Sequence, residues 1–128
     1  MTAIRQATLD VIGDSPTPLS AAMIAKNIPI SCDMASVYRA LHYLEKKDHL
    51  HSFILHCPEH GTERYYTIRG SSSHHHHWFH CLKCHTFINL GDCPVASILP
   101  QYEKEFGIKV TDHNLYVSGL CSSCKDKH

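Results

Sequence analysis

The sequence predicts an α+β protein, and three observations lead there. Apolar residues recur at helical spacing from Ile4 to Leu44. Two runs rich in aromatic and β-branched residues, at 50–57 and 63–68, then read as strands. Beyond residue 70, short strand and helix patterns alternate around two Cys-x-x-Cys pairs. The 128 residues suit one average domain or two small ones. Two small halves would each bury little apolar surface and would need a staple or a partner.

Residues 2–12 carry Ile4, Ala7 and Val11 on one helical face, and Gly13 stops that helix. Asp14-Ser15-Pro16-Thr17-Pro18 is a turn cluster. Ser20 is a good N-cap for a second helix, and Leu19 before it can staple onto Ile24. That helix should end near Asn27, because Pro29 disfavours helical geometry at Ile28. A third helix should begin at Ser31 or Asp33 and run to about Lys47. Met34, Val37, Leu41 and Leu44 form its inward face, and Ala35, Arg39, His42, Tyr43 and Lys46 lie opposite, with Ser36 and Tyr38 on the flanks. Two short helices followed by one with a polar, basic, aromatic outer face meet the requirements of a helix-turn-helix. The hairpin that follows, turned at Pro58-Glu59-His60-Gly61, would be its wing. The plainer reading is a small α+β unit whose tyrosines are core.

Gly70-Ser71-Ser72-Ser73 is the best boundary, dividing the chain into residues 1–69 and 70–128. In the second part, Trp78–Cys81 and Thr86–Leu90 read as strands either side of a Cys-x-x-Cys turn. Pro94 suits the first position of a helix continued by Val95, Ile98, Leu99, Tyr102 and Phe106, kinked at Pro100 and ended by Gly107. Strands are expected again at 108–110 and 113–118.

Net charge is zero with histidines neutral, which excludes a global polycation, so any nucleic-acid contact must come from a local patch. No apolar run reaches membrane length and no basic-plus-apolar leader opens the chain, which predicts a cytoplasmic protein. In a reducing compartment the cysteine pairs read as metal ligands or redox centres rather than disulfides. Residues 74–84 concentrate five histidines and two cysteines, and Cys121-Ser122-Ser123-Cys124 follows. Two such turns complete a four-thiolate zinc shell from Cys81, Cys84, Cys121 and Cys124. The alternative, a dithiol redox enzyme, lacks the βαβ context. Along an extended strand His75 and His77 share one side and His74 and His76 the other, so two further metal sites can be served. His113 can bring a third imidazole to one of them. A solvated loop is the plainer reading of that run. His49, His51, His56, Cys57 and His60 add donors on the hairpin. Cys93 is a candidate ligand or redox-sensitive thiol, and Cys32 a half-buried apolar residue.

Together these features resemble the ferric uptake regulator superfamily over nearly the whole chain. Ala35-Ser36-Val37-Tyr38-Arg39-Ala40-Leu41 resembles its recognition-helix signature, His74–Cys84 its histidine-rich element, and Val110–Tyr116 with Gly119–Cys124 its closing strand. The resemblance implies an N-terminal winged helix and a C-terminal α/β dimerisation domain stapled by the four-cysteine zinc site. It implies a homodimer that binds operator DNA when loaded with a regulatory metal, as a repressor rather than an enzyme. Ser36, Tyr38 and Arg39 would meet DNA. His75, His77 and His113 match ligands of a second site, where Ala96 stands in place of the usual glutamate and Cys93 is its substitute. Iron sensors take further ligands where this chain has Pro18, Thr67 and Trp78, and peroxide sensors take an acidic ligand where it has Asn89. The zinc-sensing branch would use His51, Cys57 or His56, and His74 or His76. These departures lean toward zinc as the sensed metal, the iron, manganese and peroxide branches being the alternatives. A zinc-stabilised adaptor without DNA is the rival from another class.

Overall fold

A computed structural model describes residues 1–69 and 76–126. Helix α1 (Ala3–Gly13) is capped by Thr2, whose hydroxyl accepts from the Arg5 N–H. Ser20 caps α2 (Ala21–Asn27) by accepting from Met23 N–H. Asp33 caps α3 (Met34–Lys46) by accepting from Ser36 N–H at 2.8 Å. Ser20 and Asp33 thus set the starts of α2 and α3, as their capping chemistry predicts. Val37, Ala40, Leu41 and Leu44 form the buried face of α3. Met34 is exposed instead of buried, because it sits in the first turn, ahead of the packed face.

Strand β2 (Leu50–Cys57) pairs antiparallel with β3 (Gly61–Ile68) along its whole length. A two-residue strand β1 (Leu19–Ser20) joins the other side of β3, giving the order β1-β3-β2. Period-2 geometry gives this sheet two different apolar faces. Leu50 and Tyr66 pack with Ile12, Ile24, Val37, Leu41 and Leu44 under the helices. Phe53, Leu55, Cys57 and Tyr65 point the other way and pack with Trp78, Phe87 and Tyr116. The C-terminal half therefore covers the sheet face that the helices do not.

A second sheet has the order β5-β4-β6, built from β4 (His76–Cys81), β5 (Phe87–Asp92) and β6 (Val117–Gly119). β4 runs antiparallel to β5 and parallel to β6. The expected helix at Pro94 is corrected: residues 94–98 form turns, and α4 (Leu99–Phe106) carries Pro100 in its first turn. Proline is tolerated there because first-turn N–H groups have no helical acceptor, so Pro100 begins the helix rather than kinking it. Gly107 ends α4 at φ 65°, a conformation glycine adopts without strain. The strands expected at 108–110 and 113–116 are not formed, and only Val117–Gly119 pairs.

The segment ahead of β6 nevertheless bonds β2. Ile54 N–H donates to Asn114 Oδ1 at 2.6 Å, and Asn114 Nδ2 donates to the Ile54 carbonyl at 2.9 Å. His56 N–H donates to the Tyr116 hydroxyl at 3.3 Å. A side-chain amide thus satisfies an edge strand where a neighbouring strand would otherwise do so.

Candidate metal centres

Cys81 ends β4, Cys84 lies in the turn after it, and Cys121 and Cys124 follow β6. The β4–β6 pairing sets Cys81 opposite Gly119, so the two turns meet. All four sulfurs lie within 4.8 Å of one another. Cys84 Sγ stands 3.6 Å from Cys121 Sγ. A tetrahedral zinc with 2.3 Å bonds to sulfur requires about 3.8 Å between sulfurs, so the residues fit that ion. Backbone N–H groups of Cys84 and Cys121 point at Cys81 Sγ and hold its thiol down to about 5. Burial pushes Cys124 up to about 12. Four thiolates this close repel one another, and a divalent cation is the group that relieves that repulsion.

A second set gathers His77, Cys93 and His113. Cys93 Sγ lies 3.2 Å from His113 Nε2, and the His77 and His113 rings are 5.5 Å apart. His77 Nδ1 stands 2.8 Å from the Leu115 carbonyl, which can only accept. The proton therefore sits on Nδ1, and the lone pair of the neutral ring on Nε2. Burial holds the His77 pKa below the ordinary histidine value, which keeps the ring in the ligand-competent neutral form. Two imidazoles with one thiolate suit zinc better than calcium or magnesium.

A third set, which the sequence reading did not assemble, brings Cys57 at the end of β2 to His80 of β4 and His85 of the following turn. Glu59 and His60 approach the same His85. The resemblance sets Cys57 or His56 with His51 and with His74 or His76; among the described residues, Cys57 gathers with His80 and His85. His51 lies on β2 opposite Thr67. His76 is exposed and meets Asn89 at 3.2 Å and Asp92 at 3.3 Å. No described donor cluster joins either histidine to Cys57. His74, His75 and the Gly70–Ser73 boundary lie outside the described residues.

Thr67, Trp78 and Asn89 line one cleft of about 200 Å³ with Ile12, Thr17 and Ile68. None of those side chains is a strong metal donor. On α3, Tyr38 is 55% exposed, Arg39 is exposed, and Arg39 Nη2 donates to Ser36 Oγ at 3.0 Å.

A family model described as the ferric uptake regulator family matches residues 1–118. The chain belongs to that family. The ferric uptake regulation protein of Neisseria meningitidis serogroup A is 28% identical over 98 residues, covering 77% of this chain and 64% of that relative. The chain therefore aligns with somewhat less than two thirds of that relative's length. The solved ferric uptake regulator of Helicobacter pylori, described as having three functional metal binding sites, superposes with a TM-score of 0.68 at 26% identity. That match covers 98% of this chain and 81% of the other. Holo XcZur matches with a TM-score of 0.67 at 26% identity, over 98% of this chain and 86% of the other. The ferric uptake regulator and holo XcZur are thus structural neighbours at equal identity.

Proposed function

We propose that this chain is a metal-responsive, DNA-binding transcriptional repressor of metal homeostasis, acting as a cytoplasmic homodimer and not as an enzyme. Residues 1–69 form a winged helix-turn-helix whose α3 presents Ser36, Tyr38 and Arg39 to operator DNA. Residues 70–128 form the dimerisation domain, stapled by zinc at Cys81, Cys84, Cys121 and Cys124. The regulatory site is His77, Cys93 and His113, completed by His75 in the resemblance.

The observation that carries the reading is the seam beside His113. The next residue, Asn114, makes two hydrogen bonds to Ile54, and Tyr116 bonds His56. Between them, the Leu115 carbonyl holds His77. A bound metal supplies a fixed cationic centre that favours the arrangement in which His77, Cys93 and His113 converge. The chain does the rest: residues 113–116 are ordered against β2, and β2 belongs to the sheet on which α3 rests. That is a population shift between seam-closed and seam-open states. Thiolate and imidazole donors, together with the ligand-poor Thr67–Trp78–Asn89 cleft, favour zinc over iron as the sensed metal.

The test is selection of duplexes from a random library with zinc-loaded protein, followed by titration against zinc, iron and manganese. Zinc should tighten binding to a palindromic duplex, with a steep salt dependence. Arg39→Ala should weaken that binding roughly 10- to 100-fold, the range of one lost base or phosphate contact. Equal affinity for unrelated duplexes with and without metal would sink the proposal and favour the adaptor reading.

A further inference from the structure

We infer that Cys57, His60, His80 and His85 form an additional zinc site at the tip of the β2–β3 hairpin, with Glu59 orienting one of its ligands. The site is separate from the four-cysteine cluster and from His77–Cys93–His113, and it does not depend on the DNA-binding reading.

Four observations converge on it. First, the spacing fits. Cys57 Sγ lies 3.7 Å from His60 Nδ1 and 3.8 Å from His85 Nδ1. A tetrahedral zinc with ordinary Zn–S and Zn–N bonds sets sulfur and nitrogen about 3.6 Å apart. His80 Nε2 or Nδ1 lies within 4.8 Å of the Cys57 and His85 donor atoms.

Second, His80 is 2% exposed, and its Nδ1 has no hydrogen-bond partner among the described residues. A buried polar nitrogen left unpaired is costly, and a cation among these donors would satisfy it. The His80 and His85 rings are 5.4 Å apart, and the His60 and His85 rings 4.3 Å apart.

Third, the tautomer of His85 is set for coordination. Its Nε2 stands 2.9 Å from Glu59 Oε2. A carboxylate accepts, so Nε2 carries the proton and the neutral ring's lone pair sits on Nδ1, the atom that faces Cys57. Carboxylate–histidine pairs of this kind are the usual outer support of zinc ligands.

Fourth, His85 holds φ at 65°. Glycine would take that backbone without strain, whereas a side chain there is uncommon. An imidazole occupies this backbone nonetheless, and from it reaches Cys57, His60 and Glu59. One thiolate with three imidazoles suits zinc and excludes calcium and magnesium. Because Cys57 and His60 belong to the hairpin while His80 and His85 belong to β4 and its turn, loading the site ties the hairpin to the second sheet.

The test counts zinc in reduced full-length protein, after equilibration with a chelator of moderate affinity, in a Cys93→Ala/His113→Ala background. That background should hold two zinc ions per chain. His85→Gly, which suits the local backbone, and Cys57→Ala should each lower the count to one, with the near-ultraviolet dichroism of the folded protein retained. Glu59→Gln should keep both ions but release the second at a zinc affinity about 10- to 100-fold weaker. A single zinc in the background protein, or an unchanged count in either ligand variant, overturns the inference.

Discussion

Asp33 shows how one side chain can set both the start of α3 and the posture of Arg39, the residue proposed to meet DNA. Its carboxylate accepts from Ser36 N–H at 2.8 Å, and Ser36 Oγ in turn accepts from Arg39 Nη2 at 3.0 Å. Hydrogen bonding from the Ser36 side chain and then from its backbone holds the Asp33 carboxyl below its usual value of 3.8. A carboxyl with a depressed folded-state pKa contributes stability that is present above the unfolded value and lost as pH falls through the folded one. Asp33→Asn keeps a capping oxygen but removes the titration. The variant should therefore show a shallower loss of helicity below about pH 4, where unperturbed carboxylates protonate. Circular dichroism against pH measures this, and parallel acid limbs in the two proteins would show that the cap charge contributes nothing. His80 and Cys57, among the most buried donors outside the four-cysteine cluster, act at the same scale. Each is placed by strand parity rather than by any local motif.

The helix caps, the hairpin and the four-cysteine cluster were legible because each rests on short-range chemistry: Ser20 and Asp33 before apolar periodicity, β-branched runs around Pro58–Gly61, and paired Cys-x-x-Cys turns. Three elements were not legible, for identifiable reasons. β1 is two residues long, too short to show a period. Pro94 and Pro100 both suit a first helical turn, and local pattern alone does not rank them. In β4, a register shift in the pairing lies between His76 and Trp78, an irregularity that residue pattern alone does not announce. His77 and Trp78 are both buried because different residues cover them: Leu115 and His113 meet His77, while Trp78 and His80 face the Cys57 side. The seam at Asn114 was also invisible, since a side chain standing in for a strand leaves no periodic trace. Its importance is open to measurement. Asn114→Ala leaves the Ile54 N–H and carbonyl without their amide partner at an edge already partly open to water. Zinc affinity at His77–Cys93–His113 should change less than about 3-fold, while the gain in DNA affinity on zinc loading should fall about 10-fold, a coupling loss of the usual allosteric size. Titrating zinc and DNA separately distinguishes the two. An undiminished zinc-induced gain in the variant would remove the seam from the mechanism.

At the scale of the whole molecule, the C-terminal half leaves exposed an apolar surface that the proposed homodimer would use. Helix α4 buries none of its residues, and Phe106 is 64% exposed with Tyr102 6.3 Å away. Ile88 and Leu90 on β5, an outer strand of its sheet, are also exposed, Leu90 by 50%. Scattered apolar residues on a surface are ordinary, but an amphipathic helix and an edge strand exposed in the same half are what an isologous interface uses. A stable homodimer requires roughly 800 Å² from each partner, which a helix and a strand edge together can supply. Leu90→Asp with Phe106→Asp should produce a monomer by analytical ultracentrifugation. Neither residue lies in the described donor clusters, so the zinc count should be unchanged. The consequence for DNA follows from symmetry. Under the proposed function, a dimer would place two copies of α3 on half-sites about one helical turn, roughly 34–36 Å, or a multiple apart. A monomer presents only one. The double variant should therefore lose its preference for a palindrome over a single half-site, and the slope of log affinity against log salt should fall to about half, because half as many phosphates are met. A variant that stays dimeric would place the interface elsewhere on the chain, and a monomer that still prefers the palindrome would separate DNA recognition from dimerisation altogether.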